Sequence, residues 1–129
     1  MKLMALALLL FAAPEAEPPP NANPRTELNT AIPYALQLVK QEKYEQFINE
    51  FAPPDELQKV LAARKIDDLV RSFSKEKATQ IVAVLTSLQD AQPRLDESGT
   101  VAEYVVSVPN FPKKKVVFEK IGDHWYIRN

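Results

Sequence analysis

Few residues of this chain could carry out chemistry. The 129-residue sequence contains one histidine, His124, and no cysteine. These counts exclude cysteine–histidine catalysis and the ordinary structural zinc sites, which take their ligands from Cys and His. A serine–histidine–aspartate triad would have to use His124. Because His124 follows a turn and faces opposite Trp125 on a predicted strand, we interpret it as a partly exposed strand residue.

Neighbouring carboxylates occur at Asp67-Asp68 and again at Asp96-Glu97. Adjacent side chains on a helix diverge by about 100°, so the first two carboxylates do not share one site. Asp67 is instead spaced to form a surface ion pair with Arg71, one helical turn away. The run that begins at Asp96 lacks the alternating oxygen ligands of a calcium loop. The sequence therefore predicts no catalytic residue, no metal site and no bound cofactor.

The glycine content and the charge exclude further classes of function. The only two glycines, Gly99 and Gly122, are too far apart to form a loop that cradles a phosphate. The formal net charge is −1, which gives no long-range attraction to nucleic acid or anionic lipid. The single basic run, Lys113 to Lys115, precedes a strand, where lysines keep a sheet edge soluble. We therefore expect no nucleic-acid binding.

The first 29 residues predict an export signal followed by a tether. Residues 1–13 have a charged start and an apolar run, which suits a secretory signal and is too short to span a bilayer. Residues 14–29 hold five of the eleven prolines and should form an extended, solvated tether. We expect export to the periplasm or the extracellular space, with no stable membrane insertion once the signal is removed. Without disulfides, the domain must be stabilised by apolar packing.

The remaining residues, 30–129, are predicted to form one domain whose first half is helical. The apolar stripe slips out of phase near Glu42-Lys43, which indicates two successive helices or one sharply bent helix. Pro53-Pro54 ends the second helix and starts the next, because proline is tolerated in the first helical turn. The predicted caps of the other helices are Thr30, Asp67 and Ser74.

The second half of the domain predicts an antiparallel sheet. The alternation of apolar and polar residues gives a short strand, a longer strand and a closing hairpin. Their predicted bounds are Arg94 to Asp96, Val101 to Val108, and Lys114 to Asn129 with a turn at Gly122-Asp123. The fold class is α+β, with four or five N-terminal helices on one face of a three- to four-stranded C-terminal sheet.

Two aromatic stripes, on the second helix and on the sheet, are interpreted mainly as core. A helix-covered, curved sheet can also leave a pocket lined by such residues. The candidate ligand-binding residues on this interpretation are Tyr104, Phe118, His124 and Trp125.

The closing segment, from Val116 to Asn129, reads VVFEKIGDHWYIRN. It resembles the Phe-x-Lys-x-Gly-x-x-Trp-Tyr-Ile ending of small exported bacterial domains of the nuclear-transport-factor-two-like and cystatin-like kind. The segment KQEKYEQFINEFAPPDEL, from Lys40 to Leu57, is similar to their early helices. The resemblance implies a cone-like, cystatin-like roll. Members include uncharacterised proteins, ketosteroid isomerases, dehydratases and binding subunits, and their catalytic residues match no assignable position here. The Gln-x-Val-x-Gly loop of cystatin inhibitors is absent.

Three hypotheses for function stay open. The leading one is an exported, non-enzymatic domain that binds a small ligand or a partner protein. The alternative is a small pocket enzyme of the isomerase or dehydratase type, which would use His124 with a carboxylate or a tyrosine. The third is a peptide-binding or inhibitory module that uses an unpaired sheet edge.

Overall fold

The computed structural model describes residues 23–128, in which five α-helices precede a four-stranded antiparallel sheet. This order confirms the predicted α+β fold class. The predicted signal, most of the predicted tether and the final residue lie outside the described range. Among the helices of residues 23–128, none combines the length and the apolar character needed to cross a membrane.

The helical half begins with a short 3-10 turn and continues as five α-helices. The turn is Pro24–Thr26, and the helices are α1 (Leu28–Lys40), α2 (Tyr44–Phe51), α3 (Pro54–Ala63), α4 (Ile66–Glu76) and α5 (Ala78–Leu88).

The predicted break between the first two helices is confirmed and has a defined geometry. The amide of Lys43 donates to the carbonyl of Leu38 at 2.8 Å, and the amide of Glu42 donates to that of Val39 at 3.0 Å. This pair of bonds is the Schellman arrangement, which needs a left-handed residue just after the helix. Glu42 is that residue, with a φ of 61°. The corner turns the chain and shifts the apolar stripe out of phase.

The three predicted caps are wrong, although the helices themselves exist. Thr30 lies within α1, where its hydroxyl donates to the carbonyls of Pro24 and Glu27. The residue that precedes α4 is Lys65, so Asp67 lies in the first turn, and Ser74 lies inside α4. The caps were inferred from residue type alone, but α1, α4 and α5 each begin without a hydrogen bond from a capping side chain. Arg71 pairs with Asp68 at 2.9 Å, and not with Asp67 as predicted.

The sheet follows the chain order, with every neighbouring pair antiparallel. Gly99 and Gly122 have φ of 74° and 63°, as the predicted tight turns require. The predicted long strand is shorter than expected and ends at Val105. The strands are β1 (Arg94–Leu95), β2 (Val101–Val105), β3 (Lys115–Ile121) and β4 (His124–Arg128).

One face of the sheet joins the helices in a single core. Phe118 lies opposite Ala102 on one neighbouring strand and opposite Ile127 on the other. Phe118 and Ala102 are fully buried and share the core with residues of α1 and α5, two helices that pack against each other. On the opposite face, Val105 is 78% exposed.

The edge strand β4 is flanked by the 3-10 turn. The guanidinium of Arg25 lies 5.1 Å from the ring centre of Tyr126 and 5.9 Å from that of Phe51. It also donates to the backbone carbonyl of Glu50. The N-terminal end of the described chain is therefore tied to both α2 and β4.

Candidate functional site

An apolar cleft of about 300 Å³ opens among α2, α3, α4, α5 and the end of β4. Ten of the fourteen residues that line it are apolar. Its volume falls at the small end of the range for ligand pockets, about 300 to 1,000 Å³. An apolar lining with a few polar groups is the usual composition of a small-molecule site, so this cleft is the candidate functional site.

Three phenylalanines form one wall of the cleft. Phe47 and Phe51 are one turn apart on α2, and their ring centres are 5.5 Å apart with nearly parallel planes. Phe73 of α4 lies 5.4 Å from Phe47 and 5.5 Å from Tyr44 at tilted angles. These separations suit favourable aromatic pairs. The three phenylalanines are buried, so this wall is firmly held.

Helix α3 forms a second wall and differs from the other four α-helices of residues 23–128, because none of its residues is buried. Leu57, Val60 and Arg64 follow each other at helical spacing along its cleft-facing side. Leu61, the next residue round the helix, is 40% exposed. The apolar face of α3 is therefore only partly covered by the rest of the protein.

The N-terminal end of α3 is fixed to the sheet by ion pairs. Arg128 of β4 lies 3.0 Å from the carboxylate of Asp55 and 2.9 Å from that of Glu56. It lies 2.6 Å from the carboxylate of Glu119 on β3. The hydrogen bond from Arg128 lowers the pKa of Asp55, and the bonds to Asp55, Glu56 and Glu119 together raise the pKa of Arg128. Buried Pro53 restricts the backbone at the same point.

Four polar residues line the cleft, and the three that are charged differ in whether they are paired. Glu56 shares the single cation of Arg128 with Asp55 and Glu119. Arg64 donates one hydrogen bond to the backbone carbonyl of Asp68 at 3.0 Å. Within residues 23–128, neither Arg64 nor Lys77 forms an ion pair, and Ser72 adds a hydroxyl to the lining. The cleft therefore offers two cations and a hydroxyl to an incoming group.

The residues predicted to bind a ligand lie elsewhere. Tyr104, Phe118 and Trp125 are 3%, 0% and 5% exposed in the core, and Tyr104 meets Phe118 edge-on at 5.7 Å. Burial raises the pKa of Tyr104. Tyr104 also reaches a separate cavity of about 240 Å³ between the start of α1 and the segment after α5. Their role in ligand binding stays a prediction.

His124 lies on the half-covered outer face of the sheet, away from the cleft. Its Nε2 atom is 3.1 Å from the side-chain amide nitrogen, Nδ2, of Asn23. The sheet contributes Ile127 to the cleft lining, two positions beyond Trp125 on the same face. None of the four predicted ligand-binding residues lines the cleft.

Sequence reasoning missed the cleft because its walls have the spacing of ordinary core faces. One signal was present in the sequence. Arg64 continues the stripe of Leu57 and Val60, and Lys77 continues the stripe of Phe73 towards Ile81. A cation that extends an apolar stripe marks a place where the stripe leaves the core and reaches solvent.

Within residues 23–128, no three His, Asp or Glu side chains come close enough together to hold a metal ion. No family model, curated protein or solved structure matches this chain.

Proposed function

We propose that this protein is a binding module that holds a small, largely apolar ligand in the cleft beside α3. The observation that carries the proposal is the partly covered apolar face of α3, which lines a cleft with ten apolar residues. Apolar surface gains about 25 cal/mol for each Å² removed from water. A ligand in the cleft would remove two apolar surfaces from water, namely the exposed face of α3 and the surface of the ligand itself.

The positions of the polar groups favour binding over the isomerase or dehydratase alternative. General acid–base catalysis needs a titratable group within hydrogen-bond reach of the reacting atom. His124 does not line the cleft, and Glu56 is engaged by Arg128. The cleft thus supplies apolar contact and positive charge, which suit recognition of a ligand.

Export and a relationship to the nuclear-transport-factor-two-like and cystatin-like domains belong to the same proposal. The support for export is the charged start and apolar run of residues 1–13. The support for the relationship is the closing motif together with helices packed on one face of an antiparallel sheet. An exported binding module that reaches its ligand on a proline-rich tether accounts for all of these features.

The proposal is tested by filling the cleft from α3 with a matched pair of variants. Val60→Trp places an indole in the cleft, whereas Leu61→Trp adds the same group one residue away, outside the cleft lining. Decanol and naphthol serve as chain-like and ring-like probes, and binding is measured by calorimetry and by the rise in the unfolding midpoint.

We expect at least one probe to bind the unaltered protein and Leu61→Trp with similar affinity. The same probe should bind Val60→Trp at least about tenfold more weakly, because the indole would displace part of the probe from the cleft. Each methylene that stays in water forfeits about 0.8 kcal/mol of binding free energy, so two account for such a loss. Circular dichroism of both variants checks that α3 is still formed. Failure of both probes to bind the unaltered protein, or equal binding by Val60→Trp, would overturn the proposal.

A further inference from the structure

We propose that the ligand of the cleft is an anionic amphiphile, an unbranched apolar chain that ends in a carboxylate. This inference rests on the proposed function, because it names the chemical class of ligand for the same site. It is drawn from the charges along the cleft, the hydroxyl of Ser72 in the same lining and the volume available.

Both cations of the lining are available to an anion. Among residues 23–128, the side chain of Arg64 forms one hydrogen bond, to the backbone carbonyl of Asp68, so other donors of its guanidinium can bind both oxygens of a carboxylate. Lys77 follows the last residue of α4 and has no ion pair within residues 23–128. Ser72 adds a hydroxyl donor on α4 between them in sequence.

A cationic head finds no equivalent partner. The one carboxylate of the lining, Glu56, is held 2.9 Å from Arg128, so a cation would have to compete with an existing ion pair. The other carboxylates in that network, Asp55 and Glu119, do not line the cleft. The cleft therefore offers a head group two cations that have no ion pair within residues 23–128, against one carboxylate that already shares Arg128.

The volume sets the length of the apolar chain. A cleft of about 300 Å³ has room for roughly ten groups of the size of a water molecule, each with about 30 Å³. A chain of about ten carbons fills the apolar part and brings its head to the polar lining. Because Arg64 and Lys77 are exposed at the mouth of the cleft, water screens the ion pair and its effect should be moderate.

The test compares three probes with the same chain and different heads: decanoate, decanol and decyltrimethylammonium. Each is titrated calorimetrically as a monomer at pH 8. We expect decanoate to bind about fivefold more tightly than decanol, which is the upper end for a solvent-exposed ion pair, and the ammonium compound to bind most weakly.

A pair of double variants locates the effect. Arg64→Gln/Lys77→Gln should reduce the affinity for decanoate to that for decanol and leave decanol unchanged. Arg71→Gln/Lys75→Gln removes the same charge from exposed positions of α4 that do not line the cleft, and it should retain the preference for decanoate.

Equal affinities for decanoate and decanol would overturn this inference and leave the proposed function intact. Failure of all three probes to bind would overturn this inference, and the proposed function falls with it when naphthol fails to bind as well. An equal loss of the decanoate preference in the Arg71/Lys75 control would show a general charge effect and would also overturn the inference. So would binding to anionic phosphatidylglycerol vesicles without binding to monomeric decanoate.

Discussion

The core and the α3 wall contrast within one small fold. In the core, Ala31 and Ala35 of α1 are fully buried, and so is Phe118 of the sheet. In α3 no residue is buried, and Leu61 is 40% exposed. Regions with few buried apolar contacts open more readily than the core around them. We infer that the core maintains the fold, whereas α3 can adjust around a ligand.

The two regions are also held by different forces. The core depends on apolar packing, which has no cysteine cross-link to support it. The attachment of α3 depends on Pro53 at its start and on Arg128, which links it to the sheet. Ion pairs near the surface are weaker than packed apolar contacts and are screened by salt. High salt should therefore loosen α3 before it affects the core.

The largest expected difference between the regions is in the cost of truncating an apolar side chain. Phe118→Ala should lower the free energy of unfolding by about 3 to 5 kcal/mol, because it removes a fully buried ring. Leu57→Ala in α3 should cost about 1 kcal/mol or less, because that side chain is only partly buried. Urea unfolding followed by the fluorescence of Trp125 measures both.

Equal losses in the free energy of unfolding would contradict the contrast between the core and the α3 wall, since they would mean that α3 is part of the cooperative core. If Phe118→Ala does not fold, Phe118→Leu provides a smaller truncation at the same site. It should still cost more than Leu57→Ala.

The second effect concerns the attachment of α3. Arg128→Met keeps an apolar stem but leaves Asp55, Glu56 and Glu119 without their shared cation. We expect the amides of α3 to exchange with solvent severalfold faster while those of α1 and α5 keep their protection. Hydrogen exchange followed by mass spectrometry measures this difference.

Arg71→Met is the control for Arg128→Met, since Arg71 forms an exposed ion pair with Asp68 on α4. It should leave exchange in α3 unchanged. Faster exchange throughout the protein in Arg128→Met would mean that Arg128 supports the core as well.

The smallest effect at neutral pH is expected from Tyr104→Phe, which alters the core without creating a cavity. Burial raises the pKa of Tyr104 above its ordinary value of 10.0. The folded state therefore binds the phenol proton more tightly than the unfolded state. The resulting contribution to stability is present below pH 10 and is lost as the pH rises through the folded-state pKa.

Above pH 10, the free energy of unfolding of Tyr104→Phe should accordingly fall less steeply than that of the unaltered protein. At pH 7 the two proteins should have similar free energies of unfolding. Urea unfolding at a series of pH values gives the comparison. Parallel curves through the alkaline range would show that the phenol of Tyr104 ionises as easily in the folded state as in the unfolded one.

Local signals predicted most of the fold. Alternation along β3 and β4 placed Phe118 and Trp125 on the buried face, and the glycines marked both tight turns. The phase slip near Glu42 predicted the corner between α1 and α2. Each of these features is determined by residues that are close together in the chain, so each can be predicted from one sequence.

The candidate site could not be predicted in the same way. The stripes that include Leu57 on α3 and Phe73 on α4 have the same helical spacing as the stripes of the core. Which stripe is fully covered depends on how the helices pack, and that is a property of the whole fold. The sequence therefore directed attention to Tyr104 and Trp125, which belong to the core and do not line the cleft.

The corner at Glu42 has a consequence for the evolvability of the protein. A non-glycine residue with a φ of 61° costs roughly 1 kcal/mol relative to glycine, although the greater freedom of glycine in the unfolded chain offsets part of this difference. Glu42 is exposed and lies outside both the core and the cleft. Glycine at this one position therefore offers a route to a more heat-resistant protein, which could tolerate further changes around α3.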